Sequence, residues 1–192
     1  TLFPYTTLFR SIGGCDMHKL NRYKKLFVII CVVLLSTITV SAKLLPIYSV
    51  FTDKKQVALT FDCAWGSDDI DEILETLDQH GVKATFFMVG DWMRKYPEAT
   101  KKIAEKGHDV ASHSDKHPHV TEMGKEEIKK DIRFAHNTIK EITGIDANLY
   151  RAPYGEYNDT VVEAAKESGY YIIQWDVDSL DWKNYGDRKS VC

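Results

Sequence analysis

The sequence lacks an excess of either charge. Its 28 acidic residues stand against 25 basic ones, which argues against a polyanion such as nucleic acid as partner. Cysteine is scarce, at four residues, and Cys15, Cys31 and Cys192 fall outside the part that reads as folded. Cys63 is left alone, which excludes a disulfide framework. No apolar run reaches the roughly 20 residues that span a bilayer comfortably; residues 26–40 are free of charge but shorter. There is no internal repeat beyond the strand and helix rhythm described below, and no low-complexity tract.

What is present begins at Met17. His18, Lys19, Arg22, Lys24 and Lys25 precede the apolar run, and Val40-Ser41-Ala42 follows it as a cleavage pattern. Residues 17–42 are expected to engage the export machinery as a signal peptide, or to stay in the membrane as an anchor through residues 26–42. Basic residues before the run put the domain outside, in an extracytoplasmic or cell-envelope location. Residues 1–16 and 187–192 resemble translated adaptor. Both are expected to be non-native, with the natural chain continuing further. Residues 43–55 read as a linker and 56–186 as one partial domain.

Within that domain strand-like runs alternate with helical patterns. Strands are predicted at 57–61, 85–89, 109–111, near Leu149-Tyr150 and at 171–175. Helical spacing marks Ile70, Ile73, Leu74 and Leu77, then residues 93–106, then Ile128, Ile132, Ala135, Ile139 and Ile142, then 159–168. Gly81, Gly107, Gly144 and Gly169 close the four helices. Repeated strand-then-helix implies an α/β fold with a parallel sheet and right-handed crossovers, either an open doubly wound sheet or part of a barrel.

Residues able to do chemistry cluster just after the strands, where parallel α/β folds build their sites. Asp62 follows the first. Its ordinary reading is a helix N-cap, but Ser67 is better placed for that task. His113 and His117, four apart, could meet on one face of a helical turn and share a cation. Such a pair in isolation is as often plain surface polarity; with Asp62 across the same edge, metal binding explains it better. His119 beside them reads as structural or substrate-facing. Arg151 next to Asp62 would form a paired or bidentate contact, or else be a surface arginine in a turn. Pro153 and Gly155 stiffen a loop whose amides could face an oxyanion. Of Asp176, Asp178 and Asp181, at least one is expected to fix its loop by accepting backbone N–H groups. Tyr154 and Trp182 are candidates for stacking on a sugar ring, or for core packing.

Lined up in this order, Thr60-Phe61-Asp62, His113 with His117, Arg151-Ala152-Pro153-Tyr154 and Asp178-Ser179-Leu180-Asp181-Trp182 resemble the four motifs of the polysaccharide deacetylases, the NodB-homology domain of carbohydrate esterase family 4. The likeness covers about residues 56–183. It implies a distorted (β/α) barrel, incomplete here because its last strands are missing, and hydrolysis of acetyl groups on a cell-wall-type polysaccharide such as peptidoglycan or chitin, with a divalent metal, zinc first. In the family's terms Asp62 is the base, His113 and His117 are metal ligands, Arg151 orients Asp62, and the Tyr154 amide meets the oxyanion. Asp181 would steer a histidine acid supplied by a later Leu-x-His motif. Two departures stand out. Cys63 occupies the place of the family's third metal ligand, an aspartate, and is either a thiolate ligand or a small buried hydrophobe. The Leu-x-His motif is not reached, so the chain as given is expected to be inactive or nearly so. The alternative is a catalytically impaired glycan-binding or scaffold module of the same fold.

Overall fold

The structure, a computed structural model, describes residues 17–35, 42–181 and 183. The expected leader 1–16, the tail 187–192, Trp182 and residues 40–41 of the cleavage pattern lie outside them. The chain divides into two units, residues 1–42 and 43–192. The first contains helix α1, Met17–Leu35. Among the described residues no helix is long and apolar enough to cross a membrane, because the basic cluster occupies the first half of α1.

The second unit is built on five short parallel strands: β1 (Thr60–Cys63), β2 (Thr85–Met88), β3 (Asp109–Ser112), β4 (Leu149–Tyr150) and β5 (Tyr171–Ile172). Helices α2 (Ile70–Gln79), α3 (Gly90–Lys95), α4 (Pro97–Glu105), α5 (Lys125–Thr143) and α6 (Asp159–Glu167) connect them. Spatial order equals chain order, β1 to β5, and every pairing is parallel. The winding therefore never reverses, which rules out the doubly wound alternative and matches the path of a (β/α) barrel. Among the described residues the sheet stays open. Beyond β5, Ile47 bridges Ile173 in parallel, so part of the expected linker lies along the sheet edge.

Periodicity builds two core clusters. Ile70, Leu74 and Leu77 of α2 are buried together with Phe86, Met88 and Ile103, while Ile128 and Ile132 of α5 pack with Tyr150 and Val161. Strand β2, second in the sheet order, has Phe86, Phe87 and Met88 at 0% exposure, because both its faces are covered.

Several boundaries differ from expectation, each for a local reason. The first strand runs 60–63 rather than 57–61: its partner β2 starts at Thr85, and the register pairs Thr85 with Thr60, leaving Val57 exposed. Asp62 thus lies inside the strand. The helix expected over 93–106 is two helices, because Pro97 drives Tyr96 out of helical geometry, to φ −127 and ψ 59. Ser67 does not cap α2 with its side chain; only its carbonyl meets the Ile70 N–H, at 3.3 Å. The last strand ends at Ile172 and continues as the single bridge at Ile173.

Candidate active site

The pleat of β1 sorts its residues by face. Cys63 turns into the core with Ile70 and Leu74, while Thr60 and Asp62, two apart, turn the other way. Arg151, only 3% exposed, spans that pair with its fork: Nη1 donates to Asp62 Oδ1 at 2.6 Å and Nη2 to Thr60 Oγ1 at 3.0 Å. The contact is therefore shared between two residues, not bidentate on the carboxylate. The guanidinium lies 4.0 Å from the Phe87 ring centroid and 5.5 Å from that of Trp175, two aromatic rings that help to shield this planar cation from water.

His113 follows β3 and is tied to the same residue from the other side, its Nδ1 lying 2.9 Å from the Arg151 carbonyl oxygen. A carbonyl only accepts, so Nδ1 carries the proton and Nε2 keeps its lone pair. Burial pushes the His113 pKa below its ordinary value, favouring the neutral ring. Nε2 stands 3.8 Å from Asp62 Oδ2: two acceptors facing each other, an arrangement suited to a cation or to the protons of water. His117 packs at 5.0 Å between ring centroids, and its pKa is lowered by burial and by the neighbouring His113.

The two imidazoles do meet, but not on a helical turn. They sit on a loop in which Ser114 and His117 adopt φ 69 and 57, closed by the His117 N–H donating to Ser114 Oγ at 2.8 Å. The loop is held from beneath. The first amides of α3 reach it, Gly90 N–H to the Ser114 carbonyl at 3.0 Å and Asp91 N–H to the Asp115 carbonyl at 2.9 Å. Arg94 Nη1 grips Asp115 Oδ1 at 2.7 Å, and Asp131 Oδ2 of α5 accepts the Asp115 N–H at 3.0 Å. Burial, aided by the Asp115 charge, pushes Asp131 up to about 6. At Gly90 a Cβ would fall 2.2 Å from Asp115 Oδ1 and 2.9 Å from its carbonyl oxygen, so the close approach requires glycine. Gly90→Ala is expected to cost about 1–3 kcal/mol by overpacking, read as a lower denaturation midpoint; an unchanged midpoint would show that the loop does not depend on this approach.

Tyr154 sits in the turn after β4 with φ 58, followed by Gly155 at φ 68, where a Cβ would fall 2.5 Å from the Trp175 ring. The Tyr154 ring is exposed, stacked on His119 at 4.3 Å and edge-on to His117 at 4.5 Å. His119 is in turn paired through Nδ1 with Glu156 at 3.1 Å. Asp178 fixes its loop as expected of one aspartate there, accepting the Leu180 N–H at 2.8 Å. Asp181 is exposed, and no contact ties it to Asp62, His113, His117 or Arg151.

The site thus brings together Asp62, His113, His117, Arg151 and Tyr154, and leaves Cys63 apart. Burial, with the Asp62 charge nearby, pushes the Cys63 thiol well up, so it is a protonated, buried side chain. Among the described residues no group of three His, Cys, Asp or Glu side chains is disposed to hold a metal ion. Two neutral imidazoles fit a divalent cation as nitrogen donors; among the described residues no third protein ligand accompanies them. The sequence offered Thr60 only as part of the first motif and not as a partner of Arg151, although the two-residue period of β1 could have paired it with Asp62. It also missed Phe87, Trp175, Arg94 and Asp131, whose roles depend on contacts between distant segments.

The family model for polysaccharide deacetylase matches residues 50–173. A peptidoglycan-N-acetylglucosamine deacetylase of Bacillus cereus is 36% identical over 131 residues, covering 68% of this chain and 48% of that protein. Among solved structures, a family 4 carbohydrate esterase pseudoenzyme from Bacillus anthracis superposes with a TM-score of 0.70 at 34% identity, over 72% of this chain and 49% of that one. A mutant of it with restored enzymatic activity aligns equally well, with a TM-score of 0.70 at 36% identity over 72% and 51%. The chain spans about half the length of the curated relatives it matches.

Proposed function

The chain belongs to the polysaccharide deacetylase family, and from that premise we propose that it is a hydrolase removing acetyl groups from N-acetylated sugars of a cell-wall polysaccharide outside the cytoplasm, with peptidoglycan as first candidate. The observation that carries this reading is the Arg151 fork across Thr60 and Asp62, with the lone pair of His113 facing the same carboxylate. Asp62 takes a proton from water, and the hydroxide oxygen adds to the acetyl carbonyl carbon. Arg151 holds the carboxylate in place. The Tyr154 amide donates to the oxyanion that develops. Collapse breaks the C–N bond as a second acid gives its own proton to the sugar amine, releasing the acetyl group as acetic acid; the proton held by Asp62 then returns through solvent and restores both groups, with Asp181 having the part of orienting that acid and Trp182 that of a sugar platform. His113 and His117 would hold a divalent cation, zinc first, which when bound supplies Lewis acidity to the site.

Acetate release from peptidoglycan and from chitin oligomers by the full-length gene product tests the reading. Release that chelator abolishes and zinc restores is expected. The burial of Cys63 favours one competing reading, a catalytically impaired glycan-binding module, and resemblance to a pseudoenzyme supports it. Glycan binding without acetate release from any polymer would establish that alternative. Cys63→Ser is expected to leave metal content unchanged, since the thiol faces the core; lost metal would return Cys63 to the ligand set.

A further inference from the structure

His119 and Glu156 are the pair at the site that the proposed reaction leaves without a task. Their contacts converge on one turn. His119 Nδ1 donates to Glu156, 3.1 Å from each carboxylate oxygen, while the flat face of the same imidazole lies on the Tyr154 ring at 4.3 Å, inclined by only 11°. Residues 154 and 156, two apart in the turn after β4, therefore hold one ring by its face and by its edge. Both sides of that grip are themselves fixed. Thr121 Oγ1 donates to Glu156 Oε2 at 3.2 Å, and the His119 carbonyl accepts the Glu122 N–H at 3.1 Å, beside the fully buried Val120.

The turn needs holding. Tyr154 has a left-handed backbone, φ 58 and ψ 5, which residues with a Cβ rarely adopt because the Cβ crowds the following carbonyl. On one flank the chain leaves β4; on the other Gly155 is pinned, its carbonyl accepting from Gln174 Nε2 at 2.9 Å. With both flanks fixed, the Tyr154 N–H turns away only if the backbone of residue 154 changes, and that change carries the ring off His119. This N–H is the donor given to the oxyanion above. Burial does not lock it in place, since Tyr154 is 54% exposed and the His119 side chain 52%. A carboxylate–imidazole pair this exposed contributes little to global stability, so a purely structural account leaves the convergence on one donor unexplained.

Resting on the deacetylase reading above, we propose that His119, set by Glu156, is a positioning residue of the reaction: it holds Tyr154 in its left-handed turn, so that the Tyr154 N–H is aimed before the oxyanion forms. Preorganisation of this kind acts on the transition state and not on substrate binding, so it is read in kcat and not in KM. The test is steady-state acetate release by the full-length protein from peptidoglycan and from chitin oligomers. His119→Ala is expected to lower kcat about tenfold with KM within about twofold, less than the roughly 100- to 1,000-fold of losing an oxyanion donor outright. Glu156→Ala should act in the same direction. His119→Phe keeps a flat ring against Tyr154 and should recover most of the lost rate. Thermal denaturation and metal content of each variant are expected to match the parent. An unchanged kcat in His119→Ala, a raised KM at retained kcat, no recovery in His119→Phe, or a loss of fold or metal that accounts for the lost rate each overturns the positioning role and leaves the deacetylase reading intact. A parent that releases acetate from neither polymer overturns both.

Discussion

Replacing Asp62 by asparagine is expected to lower acetate release about 100- to 10,000-fold, the range a positioned proton acceptor contributes. The substitution keeps shape and one carbonyl-type acceptor for Arg151, so the fork across residues 60 and 62 persists. What disappears is the basicity that takes the proton of the attacking water. Stability should fall by no more than about 1 kcal/mol: the side chain is 34% exposed, and water screens part of the lost charge attraction. The measurement is acetate release alongside a denaturation curve. Activity within a few-fold of the parent, in a folded variant, would remove Asp62 from the role of base and with it the proposed mechanism.

The second large effect is expected at Arg151. Arg151→Lys conserves charge and little else, because an ammonium is a point donor that can reach Asp62 or Thr60 but cannot bridge them, and it loses the flat stacking over Phe87. The residue is almost fully buried, and removing one partner of a buried pair costs about 3–5 kcal/mol. Retained charge and the partial exposure of Asp62 reduce that to about 2–3 kcal/mol, or about 5–10 °C in melting temperature for a domain of this size. Activity should drop about 100-fold, since Asp62 loses the fork that orients it, while His113 keeps its bond to the backbone carbonyl of residue 151. Combining Arg151→Met with Asp62→Asn should cost less than the two losses added, as the asparagine leaves no unpaired charge behind. Strict additivity would mean that the pair is not energetically coupled.

Much of this site was legible in the sequence because its chemistry depends on residue type at strand ends. Asp62, His113, His117 and Arg151 were identifiable as a set once the strand and helix rhythm placed them along one edge. The rhythm itself was readable because amphipathic spacing is local: Ile70, Leu74 and Leu77 must share a face wherever the helix lies. Boundaries were less legible. Residues 57–59 are as β-prone as 60–63, and only the register with β2 decides which of them pair. The break at Pro97 could have been read from its missing N–H, whereas the early start of α3 at Gly90 depends on the carbonyls of Ser114 and Asp115, which belong to another segment.

By itself the sequence determined the parallel winding and the type and order of the candidate site residues, because these follow from residue chemistry and from periods of two and 3.6. Tertiary structure alone decided which way β1 is turned, so that Asp62 faces the site and Cys63 the core. It also decided that Arg151 divides its fork between Asp62 and Thr60, and that the histidines meet on a loop clamped by Arg94 and Asp131. The physical reason is the same in each case: a pleat alternates faces but carries no label for inside, and that phase is set only when the strand packs against neighbours distant in the chain.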